Sequence, residues 1–397
     1  ETFNYLIIEK TASSVTLSSS PATNVTLNAS AGNVLEIRSN GTLNLNGQTL
    51  NMSGTSGNIH AVSSVQTITG GSGSVFAISN GTKTVTTSLG GTLTFGSNVK
   101  VALSSGMDFG NYLSTINGTL QLALGGFVTG NAPNYGSGST LRYFSGTTYG
   151  RGLEWSTTTG PGYPYNVTID QNGTPTTLDL HNGSSALRKV AGNLVINDGG
   201  SIAMNTMTDA LDIGGNVNIG NGSSGSLVLS TAVGGDLIIR GNLSVNSGAT
   251  LNQNFREVHF NGVSNQTIAG ASYFDYLRIN NSGTSPNNRV IMSSNLDVYY
   301  RLYLYNGQLD LNGNQITMSN ASKIRRASSG ASMTAAATVG SGNTIDVHYD
   351  ATMTAGVEYP TSATFVRDLI IDAGVLTLNG NRGLNRHLML GGDLNLD

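Results

Sequence analysis

The sequence predicts an all-β fold, a right-handed parallel β-helix with roughly 20–23 residues per coil. Three observations point to it. A three-residue apolar-x-apolar tripod recurs along the chain. The tripods are separated by Gly, Asn, Ser and Thr. No stretch shows a 3.6-residue apolar period over the dozen or so residues that a helix needs.

The tripods include Leu43-Asn44-Leu45, Leu93-Thr94-Phe95, Leu194-Val195-Ile196, Leu211-Asp212-Ile213, Val217-Asn218-Ile219, Leu227-Val228-Leu229, Leu243-Ser244-Val245 and Leu376-Thr377-Leu378. Residues i and i+2 of a strand share a face, so each tripod buries two side chains and exposes the one between. Asn-Gly, Gly-Asn, Ser-Gly and Gly-Gly pairs between them tolerate the positive φ of sharp corners. Short strands joined by such corners make a wall that keeps turning.

The pitch comes from repeated phrases. Gly-(Asn/Asp)-(Leu/Val)-x-(Ile/Leu) starts at Gly192, Gly215, Gly235 and Gly392, with a variant at Gly241, and the first three starts each lie close to one such coil apart. A longer echo joins Gly41-Thr-Leu43-Asn-Leu45-Asn46-Gly47 to Gly307-Gln-Leu309-Asp-Leu311-Asn312-Gly313, and Gln66-Thr67-Ile68-x-Gly70 returns as Gln266-Thr267-Ile268-x-Gly270. An aromatic residue shortly before a strand also returns, as Phe3, Tyr163, Phe274 and Phe365. Coils of about 22 residues stacked about 4.8 Å apart would give about 18 windings and a rod of about 85 Å. Immunoglobulin-like sandwiches would need longer strands and a buried aromatic anchor in each module, whereas Trp occurs once.

One segment breaks the rhythm. Residues 127–165 hold Tyr135, Tyr143, Phe144, Tyr149, Trp155, Tyr163 and Tyr165 together with Pro133, Pro161 and Pro164. The expected organisation is therefore coils over 1–126, an aromatic-rich insertion or irregular continuous coils over 127–165, and coils over 166–397. With no initiator Met and no signal-peptide pattern, the chain reads as part of a longer repeat protein. A second aromatic cluster, Tyr299-Tyr300-x-x-Tyr303-x-Tyr305, has strand periodicity that places Tyr299, Tyr303 and Tyr305 on one face.

Composition narrows the function classes. The 397 residues include no Cys, 53 Gly and 10% charged residues, with a net charge of −3; an average soluble domain has about 25% charged residues. No basic stripe favours nucleic acid. Aliphatic runs such as Leu237-Ile238-Ile239 fall far short of a membrane span. Neither a disulfide framework nor a thiolate metal site can form without Cys.

The chemistry-bearing residues are sparse. Asp209 with Asp212, and Asp346 with Asp350, are the close acidic groupings that a polysaccharide hydrolase or lyase would require. Asp212, at the centre of a tripod, reads instead as a solvent-facing residue. Lys323, Arg325 and Arg326 read as a solvated turn. The five His residues are isolated, so no metal site and no cofactor are expected; no calcium-binding nonapeptide, nucleophile elbow or phosphate loop is present. Thr-x-Thr runs at Thr67, Thr84 and Thr92 raise ice binding, which would need them to recur at coil spacing. Asn at the corners is expected to stack along the coil axis. Tyr143, Tyr149, Trp155 and Tyr163 are the candidate glycan-contact residues, since aromatic faces pack against sugar C–H surfaces. The competing reading has them filling the local core.

The phrases Glu257-Val258-His259-Phe260-Asn261-Gly262, Gln266-Thr267-Ile268-x-Gly270, Phe274-Asp-Tyr276-Leu277-Arg-Ile279, Glu154-Trp155, Asn166-Val167-Thr168-Ile169 and Gly192-Asn193-Leu194-Val195-Ile196 resemble the repeats of giant surface proteins of Bacteroidota. These include gliding-motility-type filamentous adhesins exported by the type IX secretion system. The resemblance implies an extracellular β-solenoid at the bacterial cell surface, supporting attachment or gliding motility and not an enzyme. Its implied partners are neighbouring repeats of the same chain and a surface polysaccharide or other adhesion target. A carbohydrate-binding or polysaccharide-degrading β-helix is the alternative.

Overall fold

Both apolar residues of every tripod named above are buried, and the residue between them is half-exposed in each case but one. The exception is Asp212, which is 6% exposed rather than solvent-facing, because Arg240 covers it from the next coil through two hydrogen bonds of 3.2 and 2.9 Å. The computed structural model describes residues 1–10, 14–20, 24–361 and 365–396, which fall into two units, Glu1–Ala203 and Met204–Asp397.

In the first unit, a ladder runs through Thr2–Phe3, Val25–Leu27, Thr49–Met52, Val75–Ile78, Lys100–Leu103, Thr119–Ala123, Thr140–Phe144, Asn166–Ile169 and Leu194–Ile196, every pairing parallel. The step between register partners is short from Lys100 to Thr119 and much longer from Val167 to Leu194. A second ladder starts at Leu6–Glu9, and a third at Ser14–Thr16. The coil is therefore three-sided. The segment 127–165 takes part in it: Thr140–Phe144 pairs with Thr119–Ala123 on one side and with Asn166–Ile169 on the other.

The second unit repeats the plan. Leu211, Leu237, Val258, Leu277, Leu302, Ile324, Val347 and Leu369 lie in register on successive coils, and all are buried. The strand Leu296–Asp310 shows the three sides in one element, pairing in turn with Ile316–Met318, Lys323–Arg326 and Ala331–Met333. Coil length is more variable than the repeated phrases predict. The step from Leu211 to Leu237 is long and the step from Val258 to Leu277 is short. Aliphatic side chains must stay in register for the core to close, so insertions and deletions gather at the corners, where no ladder constrains them.

The corners explain the repeated phrases. Asn46 and Gly47 both have positive φ, of 50° and 80°, and so do Asn312 and Gly313, at 49° and 79°; this is why Asn-Gly follows the tripod in both copies of the long echo. Asn at the corners acts on backbone rather than chiefly on other Asn. The Oδ1 atoms of Asn166, Asn216, Asn242, Asn265, Asn295 and Asn320 accept the N–H of Asn193, Asn242, Thr267, Arg289, Gln315 and Thr344, one coil on, at 2.8–3.0 Å. Gln266 is fully buried. Its Oε1 accepts from Gly262 N at 2.9 Å, and its Nε2 donates to Ile239 O and Gly241 O at 3.0 and 2.7 Å.

These two corner devices differ in depth, which sets an order of cost. Gln266→Leu leaves buried backbone groups unpaired and is expected to destabilise the chain by about 2–4 kcal/mol. Asn242→Ala frees one solvent-accessible N–H and is expected to cost about 1 kcal/mol. Urea denaturation of the two variants checks the order; equal costs, or the reverse, would contradict the assignment.

Candidate functional site

The residues expected to form a sugar platform do something else. Tyr143 and Trp155 have no exposed surface. The Trp155 Nε1–H donates to Lys189 O at 2.8 Å, and the Tyr143 hydroxyl donates to Glu154 Oε1 at 2.9 Å. Tyr149 is half-buried against Tyr143, with ring centroids 5.3 Å apart, and Tyr163 is half-buried with its N–H on Gly160 O. Clustering in sequence marked these aromatics, but the strand parity of Thr140–Phe144 turns Tyr143 inward. Tyr143 and Tyr149 pack beside a buried acid, and with Trp155 enclosed the four do not make an open platform.

That acid belongs to a motif that occurs twice. Gly136-Ser137-Gly138-x-Thr140-Leu141 and Gly152-x-Glu154-Trp155 return as Gly340-Ser341-Gly342-x-Thr344-Ile345 and Gly356-x-Glu358-Tyr359, with one constant offset throughout. Gly152 N donates to Glu154 Oε1 at 2.7 Å, and Gly356 N donates to Glu358 Oε1 at 2.9 Å. A side chain on either glycine would bring its Cβ within 2.6 or 2.5 Å of the other carboxyl oxygen, which is why Gly stands two residues before Glu. A tyrosine serves each: Tyr143 in the first unit and Tyr349 in the second, at 2.9 and 3.1 Å. The two sites differ in charge. Arg326, on an inward position, donates to Glu358 at 2.7 Å. Glu154 makes no ion pair among the described residues, and burial pushes its carboxyl above the ordinary glutamate range.

Of the paired acids that the sequence marks, Asp346 and Asp350 are clamped across coils. Arg367 holds Asp346 by two hydrogen bonds of 2.8 and 2.6 Å, Arg325 holds Asp350 at 2.8 Å, and Asp209 is exposed. Lys323, Arg325 and Arg326 thus lie on a strand, Lys323–Arg326, and not on a solvated turn. The Arg386 guanidinium and His387 beside Asp368 hold its carboxyl down at about 2. Among the described residues, no cluster of three or more His, Asp or Glu could hold a metal ion. The Thr runs recur more than expected: Thr67 lies opposite Thr42 and Thr94, and Thr94 opposite Thr115. The second position of the pair does not follow, since Thr69 lies opposite Asn44.

The most distinctive surface is in the second unit. Two successive coils bring Tyr273 against Tyr299 and Tyr276 against Tyr300, each pair stacked at 20°, with centroids 5.1 and 5.4 Å apart. Phe255, from the coil before, meets Tyr300 at 5.6 Å. Tyr299, Tyr300 and Phe255 are 40, 44 and 58% exposed. A register shift between Phe274 and Tyr276 fits Tyr299 and Tyr300 together at the corner, opposite Asp275 alone. Tyr303 and Tyr305 share the next face, edge to face, so Tyr299 is separated from them by that corner.

Cations border these rings. Arg301 lies over Tyr276, and Arg278 lies over Tyr303 and Tyr305. His259 and His348 flank this strip. Burial first, then Arg278 and Arg240 for His259 and Lys323 for His348, push both imidazoles down to about 4 and leave them neutral near pH 7. The surface can stack flat rings and meet negative charge.

No protein-family model, curated protein or solved structure matches the chain.

The two buried acids should respond differently to neutralisation. Glu358→Gln leaves Arg326 buried without its counter-charge and is expected to cost about 3–5 kcal/mol. Glu154→Gln removes a carboxylate that burial already disfavours and is expected to be nearly neutral at pH 7. Denaturation midpoints of the full chain decide between them; similar losses for both would contradict the charge assignment.

Proposed function

We propose that this chain is a structural and adhesive segment of a large bacterial surface filament, extracellular and serving attachment or gliding motility. The in-register stacking of coil on coil within each unit carries the reading. Along the main ladder of each unit, strand edges are met by the next coil, so that backbone is shielded from proteases and from stray strand pairing. The charged residues support the same reading. Asp212, Asp346, Asp350 and Asp368 are spent on arginine clamps between coils, an arrangement that ties windings together and leaves no free acid–base pair among them. The resemblance to gliding-motility-type surface repeats is what directs the proposal to the cell surface and to type IX export. That use of the acids supports a non-enzymatic role.

A carbohydrate-binding role is the second reading, favoured by the exposed stacked tyrosines of the second unit. The two readings are compatible, because an adhesin needs both a resistant body and a contact surface.

Pulling the full chain from its two ends by force spectroscopy tests the mechanical claim. Stepwise rupture at high force is expected as coils peel off one after another. Smooth extension at low force would contradict it.

A further inference from the structure

The step from Val258 to its register partner Leu277 is among the shortest in the second unit, and it leaves out a strand. The sheet that includes Ser226–Val228 and Thr250–Asn252 ends at the latter. The Gln253 side chain, just past that strand, bridges the gap to the coil above, donating to Tyr273 O and accepting from Asp275 N, both at 2.9 Å. A groove of about 450 Å³ opens there, lined in part by Ser226, Thr250, Asn252, Ser272 and Tyr273. Hydroxyl and amide groups share its lining with Val228, Val245, Leu251 and Ala271, and the Tyr273 ring stands at its wall.

That ring begins the stacked strip. Tyr273 lies on Tyr299, and the strip continues round the corner to Tyr276, Tyr300 and Phe255. Arg301 stands in register between Tyr276 below and Lys323 above. Among the described residues, no carboxylate comes within ion-pair distance of Arg301 or Lys323. The acids nearest this row are occupied: Glu257 meets Arg278 at 3.5 Å, Asp346 is clamped by Arg367, and Asp350 is held by Arg325. Arg301 and Lys323, neither in an ion pair among the described residues, thus border the exposed aromatic ridge, with Asp346 in register beside Lys323 and half-exposed Asp297 in register beside Tyr273.

We propose that this corner of the second unit is a binding site for an acidic polysaccharide whose charge is the carboxylate of uronic acid residues. Sugar C–H faces stack on Tyr300 and on the Tyr273–Tyr299 pair. Groove hydroxyls and the Asn252 amide meet the sugar hydroxyls. The planar guanidinium of Arg301 matches a carboxylate in two-point geometry, and Lys323 adds a second positive charge. The proposal rests on the adhesive reading and gives its contact surface a ligand class.

Binding of polygalacturonate to the full chain tests it, with neutral dextran and dextran sulfate as comparison polymers. Polygalacturonate should bind and dextran should not. Tyr300→Ala and Arg301→Gln should each weaken binding about tenfold or more, and Arg301→Lys should retain more than Arg301→Gln. Thr168→Ala, on the outward face of the first unit, should bind as wild type. Circular dichroism confirms that each variant is folded, since all the altered side chains lie at the surface. Binding that ignores Tyr300 and Arg301, equal binding of dextran, or binding of dextran sulfate alone would overturn the assignment. None of these outcomes would touch the rupture forces on which the filament reading stands.

Discussion

Everything in this protein depends on keeping aliphatic side chains in register from one winding to the next. A single tripod cannot bury its two apolar residues alone; only the tripods above and below complete the enclosure. Parity makes the constraint strict, because a slip of one residue would turn both side chains to solvent. The column from Leu211 to Leu369 shows it obeyed on every coil, although the winding between Leu211 and Leu237 is much longer than the one between Val258 and Leu277. Variation is confined to corners, and so are the features that distinguish one coil from another. The Tyr299–Tyr300 bulge, the groove beside Tyr273 and the Gly-x-Glu-aromatic motif all lie where the chain leaves one ladder for the next.

The low content of charge has a structural consequence. Most of the arginines that do occur in the second unit bridge coils, as Arg240 does to Asp212, Arg367 to Asp346 and Arg386 to Asp368. Exposed pairs of this kind contribute little individually. Here they sit on buried acids with two-point geometry, and they favour the register that the aliphatic core already selects. Arg301 and Lys323 stand out against this background because they have no such partner.

The ladder was legible in the sequence for a definite reason: period-two burial and left-handed corner residues are both written in local residue types. Leu43-Asn44-Leu45-Asn46-Gly47 contains its strand and its turn. Side-chain direction within an aromatic cluster is not local in that sense. Tyr143 faces inward because of the register of Thr140–Phe144 with its neighbours, and Trp155 because it follows a glutamate that the core encloses; nothing in the cluster itself reports this. The buried acids could have been found by comparing residues 135–155 with 339–359, where the long-range repeat is plain once the two segments are aligned. The tyrosine corner could be only half seen. The spacing of Tyr303 and Tyr305 shows their shared face, but the pairing of Tyr299 with Tyr273 requires a register shift that no spacing reveals. The burial of Asp212 is hidden for the same reason, since the arginine that covers it lies a whole coil away.

The absence of cysteine makes the central claim directly measurable. Asn218 and Ser244 are register partners on adjacent coils with side chains at the surface. Parallel neighbours stand about 4.8 Å apart, within the range a disulfide can span. The double variant Asn218→Cys with Ser244→Cys is expected to close an intramolecular disulfide under mild oxidation, and Asn218→Cys with Asn246→Cys, two residues out of register, is expected to remain reduced. Failure of the first pair to close, or preferential closure of the second, would contradict the stacking.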